Sequence, residues 1–597
     1  MDATEAPSRR LHVREVVPVT PGGISLAYPR WIPGEHGPTG PITDVAGIHL
    51  RAAGRDLAWR RDDVDMYRIR AQVPAGTREV ELSFDFLGYA GTQGFSAAAS
   101  LTEQLALLSW NELVFYPGGA RSDSVPVSAS LTLPAGWQFA TALPVRHAVG
   151  AHADFETVSL TTLVDSPVLT GRWFRTVDLT PKGGPPAFLH MAADGPDALA
   201  MDEAQVVSYR ALMRESEALF GGHHYRSYHF LASMSDHIAH FGLEHHESSD
   251  DRVVERAWVD ADERASHSNL LSHELVHSWN GKFRRPSGLA TGDFQTPMRG
   301  ELLWVYEGLT QYLGFVLSGR SGVRTPAQAQ ANLALQAAYL DHQPGRTWRP
   351  LEDTAVEAQI LYEAPSEGEG WRRSTDFYDE GLLMWLEADV KIRQLTGGRR
   401  SLDDFCHRFH GAPSGPPRVV PYTYDDVIRT LNEVAPSDWN AFFDQHLHSL
   451  SPRAPMAGIE NGGWHVVYAD SATPFFQSLQ DANENIDEWF SAGIRVIKKD
   501  GEIQDVLPGS PAAKAGVAPG DLLVAVDGRA WSKDVLHDAV RATAHGRPLE
   551  LLVKRGEFYS AHRLDYKAGA QYPRLRRDPV THDWLSEILA PKAGAAR

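Results

Sequence analysis

The chain has 597 residues, a formal net charge of −19, 43% apolar residues and a single cysteine. That length exceeds the roughly 250–300 residues one hydrophobic core supports, so several domains are expected. The acidic balance argues against a nucleic-acid binder, the lone Cys406 excludes an intrachain disulfide, and neither a signal-peptide pattern at Met1 nor a run of apolar residues long enough to span a membrane is present.

Residues 1–185 read as β-rich. Glu79 to Phe86 and Val127 to Leu133 alternate polar and apolar side chains, the signature of half-buried strands. Trp31-Ile32-Pro33-Gly34, followed by Gly37-Pro38-Thr39-Gly40-Pro41, predicts a rigid loop that cannot be a central strand. From about 186 the pattern turns helical, with a helix over Ala200 to Phe220 stopped by Gly221-Gly222 and a strand over Tyr225 to Met234.

His273-Glu274-Leu275-Val276-His277 follows. Two histidines four apart share one helix face, where their imidazoles can converge on one Zn²⁺ with the intervening Glu274 as general base. Leu270, Leu271, Val276 and Trp279 supply an apolar stripe, so this helix is expected to be half-buried, where unpartnered histidines would be costly. A further helix is expected around Leu302 to Leu317, and another from Tyr378 to Gly397-Gly398, closing a catalytic segment over 186–398. A helical segment over 399–455 completes this half, with Ser401, Thr423 and Ser437 as N-caps. Cys406 lies within a helical pattern and reads as core. Ser451 to Gly463 reads as a linker, and 456–486 as linker and short strands. Leu507-Pro508-Gly509-Ser510-Pro511 through Gly520-Asp521 and Asp527-Gly528 resembles the PDZ family over 487–567, leaving a tail over 568–597.

A hydrolytic zinc site takes three protein ligands and keeps one open position. Glu307, in Trp304-Val305-Tyr306-Glu307-Gly308, is the best third ligand, although a solvated glutamate on an amphipathic helix is the plainer reading of it in isolation. Tyr378 at a helix start can donate to an oxyanion. Glu244, in Gly242-Leu243-Glu244-His245, can grip a substrate's free α-amine.

Together His273-Glu274-x-x-His277-Ser278-Trp279, Trp304-x-x-Glu307-Gly308-x-x-x-Tyr312 and Tyr378-Asp379-Glu380-Gly381 resemble the gluzincin aminopeptidases. The long gap from His277 to Glu307, Gly242-Leu243-Glu244-His245, Trp31-x-Pro33-Gly34 and the trailing PDZ domain are similar to the glycyl aminopeptidase family, peptidase family M61. The resemblance implies a multidomain α+β fold: an N-terminal β-sandwich or saddle domain, a thermolysin-like, mostly helical zinc-peptidase domain, and a C-terminal PDZ domain. It implies one Zn²⁺ per chain bound by His273, His277 and Glu307, with Glu274 as base, Tyr378 at the oxyanion and Glu244 on the substrate amine. Its substrates would be peptides with free N-terminal glycine or alanine. Members usually carry a further N-terminal strand before the stretch matching Ala3 to Arg10, so the compartment is left open between cytoplasm and, with an upstream signal peptide, periplasm or secretion.

Two rival readings remain: a catalytically silent PDZ scaffold and a zinc endopeptidase. Retention of His273, Glu274, His277, Glu307 and Tyr378 counts against the first, and Glu244 against the second. In the PDZ segment, Ser491-Ala492-Gly493-Ile494 is the expected loop for a C-terminal peptide ligand, and a purely structural domain is its alternative.

Overall fold

The computed structural model describes residues 1–92 and 99–594, so the last three residues of the expected tail lie outside it. Strand Glu79–Leu87 directs Val80, Leu82, Phe84 and Phe86 into the core, because successive side chains leave opposite faces. It pairs antiparallel with Arg10–Pro18 and Val45–Ala52. A second sheet, in which Gly22–Ala27 pairs with Arg68–Val73 and Tyr116–Pro117, shares one apolar core with the first. The residues from Trp31 to Pro41 stay outside both sheets.

The central sheet begins at Trp173, earlier than the composition change at residue 186, because Trp173–Asp178 pairs antiparallel with Ala187–Ala193. Its order continues through Tyr228–Met234 and Ser248–Val253 to Gly242–Glu244. The three middle strands are parallel and the edge strand Gly242–Glu244 is antiparallel. Helix Glu203–Phe220 opens with a reciprocal cap between Asp202 and Gln205 and stops at Gly221, whose φ is 71°. The helix expected around Leu302 to Leu317 is two pieces, Leu303–Tyr306 and Gly308–Ser321, with Glu307 at the junction. Asp379–Thr396 ends at left-handed Gly397.

Ser401 and Thr423 cap their helices, but Ser437 does not. Helix Trp439–His448 starts one residue later because the Asp438 carboxylate accepts from the Ala441 N–H at 2.9 Å, and an ionised acceptor binds the orphan amide more strongly than a hydroxyl. The stretch from Ser451 to Gly463 is not a free linker. Its turn of helix, Ala457–Asn461, buries Ile459 fully, and Gly458 approaches so closely that a Cβ there would lie 2.7 Å from the Glu387 amide nitrogen. The C-terminal segment is also not a tail. Tyr572–Arg577 pairs antiparallel with Trp464–Ala469, and helix Trp584–Leu589 places Leu585, Ile588 and Leu589 in the catalytic core. Arg320 Nε donates to the Ile588 carbonyl at 2.8 Å, closing this clamp.

In the PDZ segment, Asn485–Glu488, Ile494–Ile497 and Ile503–Val506 form one sheet, and Leu522–Val526, Leu549–Arg555 and Phe558–Leu564 lie in a second. Leu335 and Ala338 of helix Pro326–Asp341 share the PDZ core with Ile486, Trp489 and Phe490, so this segment is packed on the helical half. Among the described residues no helix is long and apolar enough to cross a membrane.

Candidate active site

The motif helix Leu270–His277 lies against the edge strand Gly242–Glu244, with Leu271, Leu275 and Val276 buried in the core. Helix Gly308–Ser321 crosses it at Gly314, where a Cβ would sit 3.0 Å from the His273 Cα. This close crossing presents His273, Glu274 and His277 on one buried face. Glu307 meets them from the junction between the two helical pieces. There, Gly308 crosses Gly381 so tightly that a Cβ on Gly308 would lie 2.9 Å from the Gly381 Cα, and the same contact brings the start of helix Asp379–Thr396, with Tyr378, to the site.

Both imidazoles have fixed orientations. His273 Nδ1 donates to Gln311 Oε1 at 2.9 Å, and that amide is itself oriented because Gln311 Nε2 donates to Asp379 at 2.9 Å. His277 Nδ1 donates to the Asn280 carbonyl at 2.9 Å. Their Nε2 atoms are 3.1 Å apart and lie 3.4 Å and 3.1 Å from Glu307 Oε2, a buried atom that receives no hydrogen bond. With both Nδ1 hydrogens committed, the Nε2 lone pairs and Oε2 face one another, and either a proton is shared or a cation sits among them. Burial opposes charge on His277, but Glu307 and Glu244 raise its pKa above the ordinary value. Burial likewise opposes charge on Glu307, yet the imidazoles of His277, His273 and His36 beside it hold its carboxyl well below the usual range. His273, His277 and Glu307 present ligand atoms within 4.8 Å of one another, as do Glu244, Glu274 and His277. Two imidazoles and one carboxylate are a donor set that suits zinc and leaves a coordination position open.

Glu274 occupies the space left by Gly242, where a Cβ would lie 2.0 Å from its Oε1. Burial pushes this carboxyl well above the usual carboxylate range, and Glu244, Asp251 and Glu307 push the same way. Glu244 accepts a hydrogen bond from the Tyr306 hydroxyl. Burial works against its charge, but buried Lys282 and His277 outweigh burial and hold it below its ordinary value. Tyr378 has its hydroxyl 2.8 Å from that of Tyr362 and its ring 6.0 Å from the His273 ring; burial pushes its phenol well above 10. Beyond Tyr378 and Gln311 a cavity of about 350 Å³ opens between the helical half and the PDZ segment, reaching Trp489 and Arg495.

All six residues expected from the sequence to act at one site are therefore neighbours. Gln311 could have been found as the residue one helical turn after Glu307. Tyr306, Asn280, Lys282 and Tyr362 carry no sequence signal separating them from core residues, and neither does His36, which reaches Glu307 from the N-terminal domain. The PDZ loop Ser491-Ala492-Gly493-Ile494 is placed elsewhere and is buried. The adjoining strand Ile494–Ile497 is paired on one edge with Ile503–Val506 and on the other with Asn485–Glu488, while Ser491 Oγ accepts from the Gln571 N–H at 3.0 Å. A peptide could add to that strand only by displacing one of these two neighbours.

Comparison with solved structures finds an aminopeptidase N family protein from Idiomarina loihiensis at 17% identity and a TM-score of 0.81, covering 99% of each chain. An M1 zinc metallopeptidase from Deinococcus radiodurans matches at 15% identity and a TM-score of 0.44, covering 75% of this chain and 91% of that one. Leukotriene A4 hydrolase from Saccharomyces cerevisiae matches at 11% identity and a TM-score of 0.42, covering 76% and 68%. Comparison with curated proteins finds no match. Family models match in chain order: the peptidase M61 N-terminal domain over residues 1–172, M61 glycyl aminopeptidase over 266–384, and a PDZ domain over 502–555. With both domains of one peptidase family present in sequence, and a PDZ domain behind them, the chain belongs to the M61 glycyl aminopeptidase family.

Proposed function

We propose that this chain is a zinc-dependent aminopeptidase that removes small N-terminal residues, glycine or alanine, from peptides. The observation that carries this reading is the position of Glu244: an ionised carboxylate buried beside His277 and Glu274, with their ligand atoms within 4.8 Å. A carboxylate so close to the base leaves room for about one residue between a bound ammonium and the scissile carbonyl. An endopeptidase has no use for such an anchor.

His273, His277 and Glu307 would hold the zinc. Bound there, zinc supplies a Lewis acid that polarises the scissile carbonyl and makes water easier to deprotonate. Glu244 pairs with the substrate ammonium, and Tyr306 keeps that carboxylate in place through its hydroxyl. Glu274 takes the proton from the attacking water and hands it to the departing amine. Burial, with Glu244, Asp251 and Glu307 beside it, favours its protonated form, and zinc bound at the site would favour the carboxylate that a base requires. Tyr378 keeps its proton and donates it as a hydrogen bond to the oxyanion. The rest of the peptide would extend into the cavity that Trp489 and Arg495 close.

The test is a paired digestion of the zinc-loaded protein with a Gly- or Ala-terminated peptide and its N-acetylated twin, with and without chelator, read by mass spectrometry. Chelator-sensitive loss of one residue from the free-amine peptide alone is expected. Internal cuts in both peptides would make the enzyme an endopeptidase, and no cleavage by zinc-loaded protein would leave the PDZ scaffold.

A further inference from the structure

His36 belongs to the N-terminal domain, yet its ring lies in the catalytic site. Its Nε2 is 2.6 Å from Glu307 Oε1, and both side chains are only 2% exposed. The ring stands edge-on to Tyr306 at 5.2 Å and is inclined at 27° to the Tyr362 ring at 6.3 Å. Its Nδ1 is buried without a partner, so the ring proton belongs on Nε2, where the carboxylate accepts it. The loop that delivers it is built for close approach. Gly34 has φ 100°, and a Cβ there would lie 2.8 Å from Glu244 Oε2 and 2.8 Å from Leu243 Cδ1. His36 itself is left-handed at φ 53°, a conformation a non-glycine residue holds only where its surroundings enforce it. The Arg30 and Trp31 amides anchor the loop by donating to the Phe294 carbonyl at 3.0 and 2.9 Å, and Trp31 is buried in the catalytic core.

Each candidate ligand thus has an outer partner: Gln311 for His273, the Asn280 carbonyl for His277, and His36 for Glu307. Only the last comes from another domain. We propose that His36 is a positioning residue for the metal site, occupying Glu307 Oε1 so that Oε2 is turned toward His273 and His277. Docking of the N-terminal domain thereby sets metal affinity. This inference rests on the metal reading above but not on the peptidase reaction.

The experiment measures zinc affinity of the full-length chain by competition with a chromophoric chelator, with the apo melting temperature as a control for folding. His36→Gln carries an amide N–H close to where Nε2 stands, and His36→Met has the same length without a donor. The expected result is near wild-type affinity for His36→Gln and a loss on the order of 10–100-fold for His36→Met. If His36→Met does not fold, His36→Asn replaces it, since asparagine suits the left-handed backbone but its shorter amide falls short of Glu307. Equal loss in the Gln and Met variants would assign the effect to ring contacts, and unchanged affinity in both would leave His36 without influence; either overturns the inference alone. A wild-type chain that takes up no zinc would overturn this inference and the proposed function together.

Discussion

Gly242→Ala should disable the enzyme without replacing any residue assigned a chemical role. Gly242 opens the edge strand Gly242–Glu244, and a methyl group there would sit 2.0 Å from Glu274 Oε1, 2.5 Å from its Cδ and 2.8 Å from Leu270 Cδ1. Cβ atoms essentially never approach a neighbour within 3.0 Å, so either the carboxylate retreats by about 1 Å or the strand lifts off the motif helix by as much. A displacement of about 1 Å at a catalytic group costs on the order of 10²-fold in rate, equivalent to about 2.7 kcal/mol. The assay is release of alanine from an Ala-terminated peptide, with zinc content measured on the same samples. Retreat of Glu274 lowers kcat at constant KM, whereas lifting of the strand also moves Glu244 and raises KM. In both cases zinc should stay bound, because the nearest atoms the methyl group meets belong to Glu274 and Leu270 and not to a histidine. Glu274→Gln, which removes the base and keeps its shape, sets the floor for comparison. A zinc-loaded Gly242→Ala enzyme turning over at the wild-type rate would refute the assignment of Glu274 as base.

Three other outcomes are expected. Tyr378→Phe should lower kcat by about 3 kcal/mol, roughly 150-fold, with little change in KM, and an equal change in both would remove Tyr378 from the oxyanion. Glu244→Ala should abolish the preference for a free α-amine in the paired digestion, and a preference that survives would place the anchor elsewhere. Burial pushes the Glu112 carboxyl up to about 8. Protonated in the fold and ionised once unfolded, it weakens stability as pH rises from about 4.5 to about 8, at no more than about 1.4 kcal/mol per pH unit, and costs nothing below that window. Glu112→Gln should therefore gain melting temperature over wild type progressively between pH 5 and 8, and a constant offset would contradict the burial account.

The candidate site was legible in sequence where its chemistry is local. His273, Glu274 and His277 fall on one helix face by the 3.6-residue repeat alone, and the alternation in Glu79–Leu87 specifies which side chains enter the core whatever lies opposite. Glu307, Tyr378 and Glu244 could be named as candidates from their residue types, but it was the family resemblance that raised them above the alternatives, because one glutamate on an amphipathic helix looks like any other. The misreadings have one common cause. Ser451 to Gly463 and the segment after residue 567 are polar and rich in glycine or proline, so they resemble linkers, yet Ile459, Leu585 and Ile588 are buried by partners hundreds of positions away or on another helix. Ser437 lost its cap to the adjacent Asp438 by competition between two good acceptors one residue apart.

The sequence by itself determined the candidate metal-binding motif on one helix face, the order of elements along the chain and the faces that its strands and helices would bury, since each depends on residues only a few positions apart. Only the tertiary structure decided which side chains orient the candidate ligands. His36 lies 271 positions from Glu307, the glycines at 34, 242 and 314 matter for what crosses them, and Asn485–Glu488 fills a strand edge that a peptide would need. Such contacts are set by how domains and elements dock. No local pattern records them, because the same residue is compatible with many neighbours until the fold supplies one.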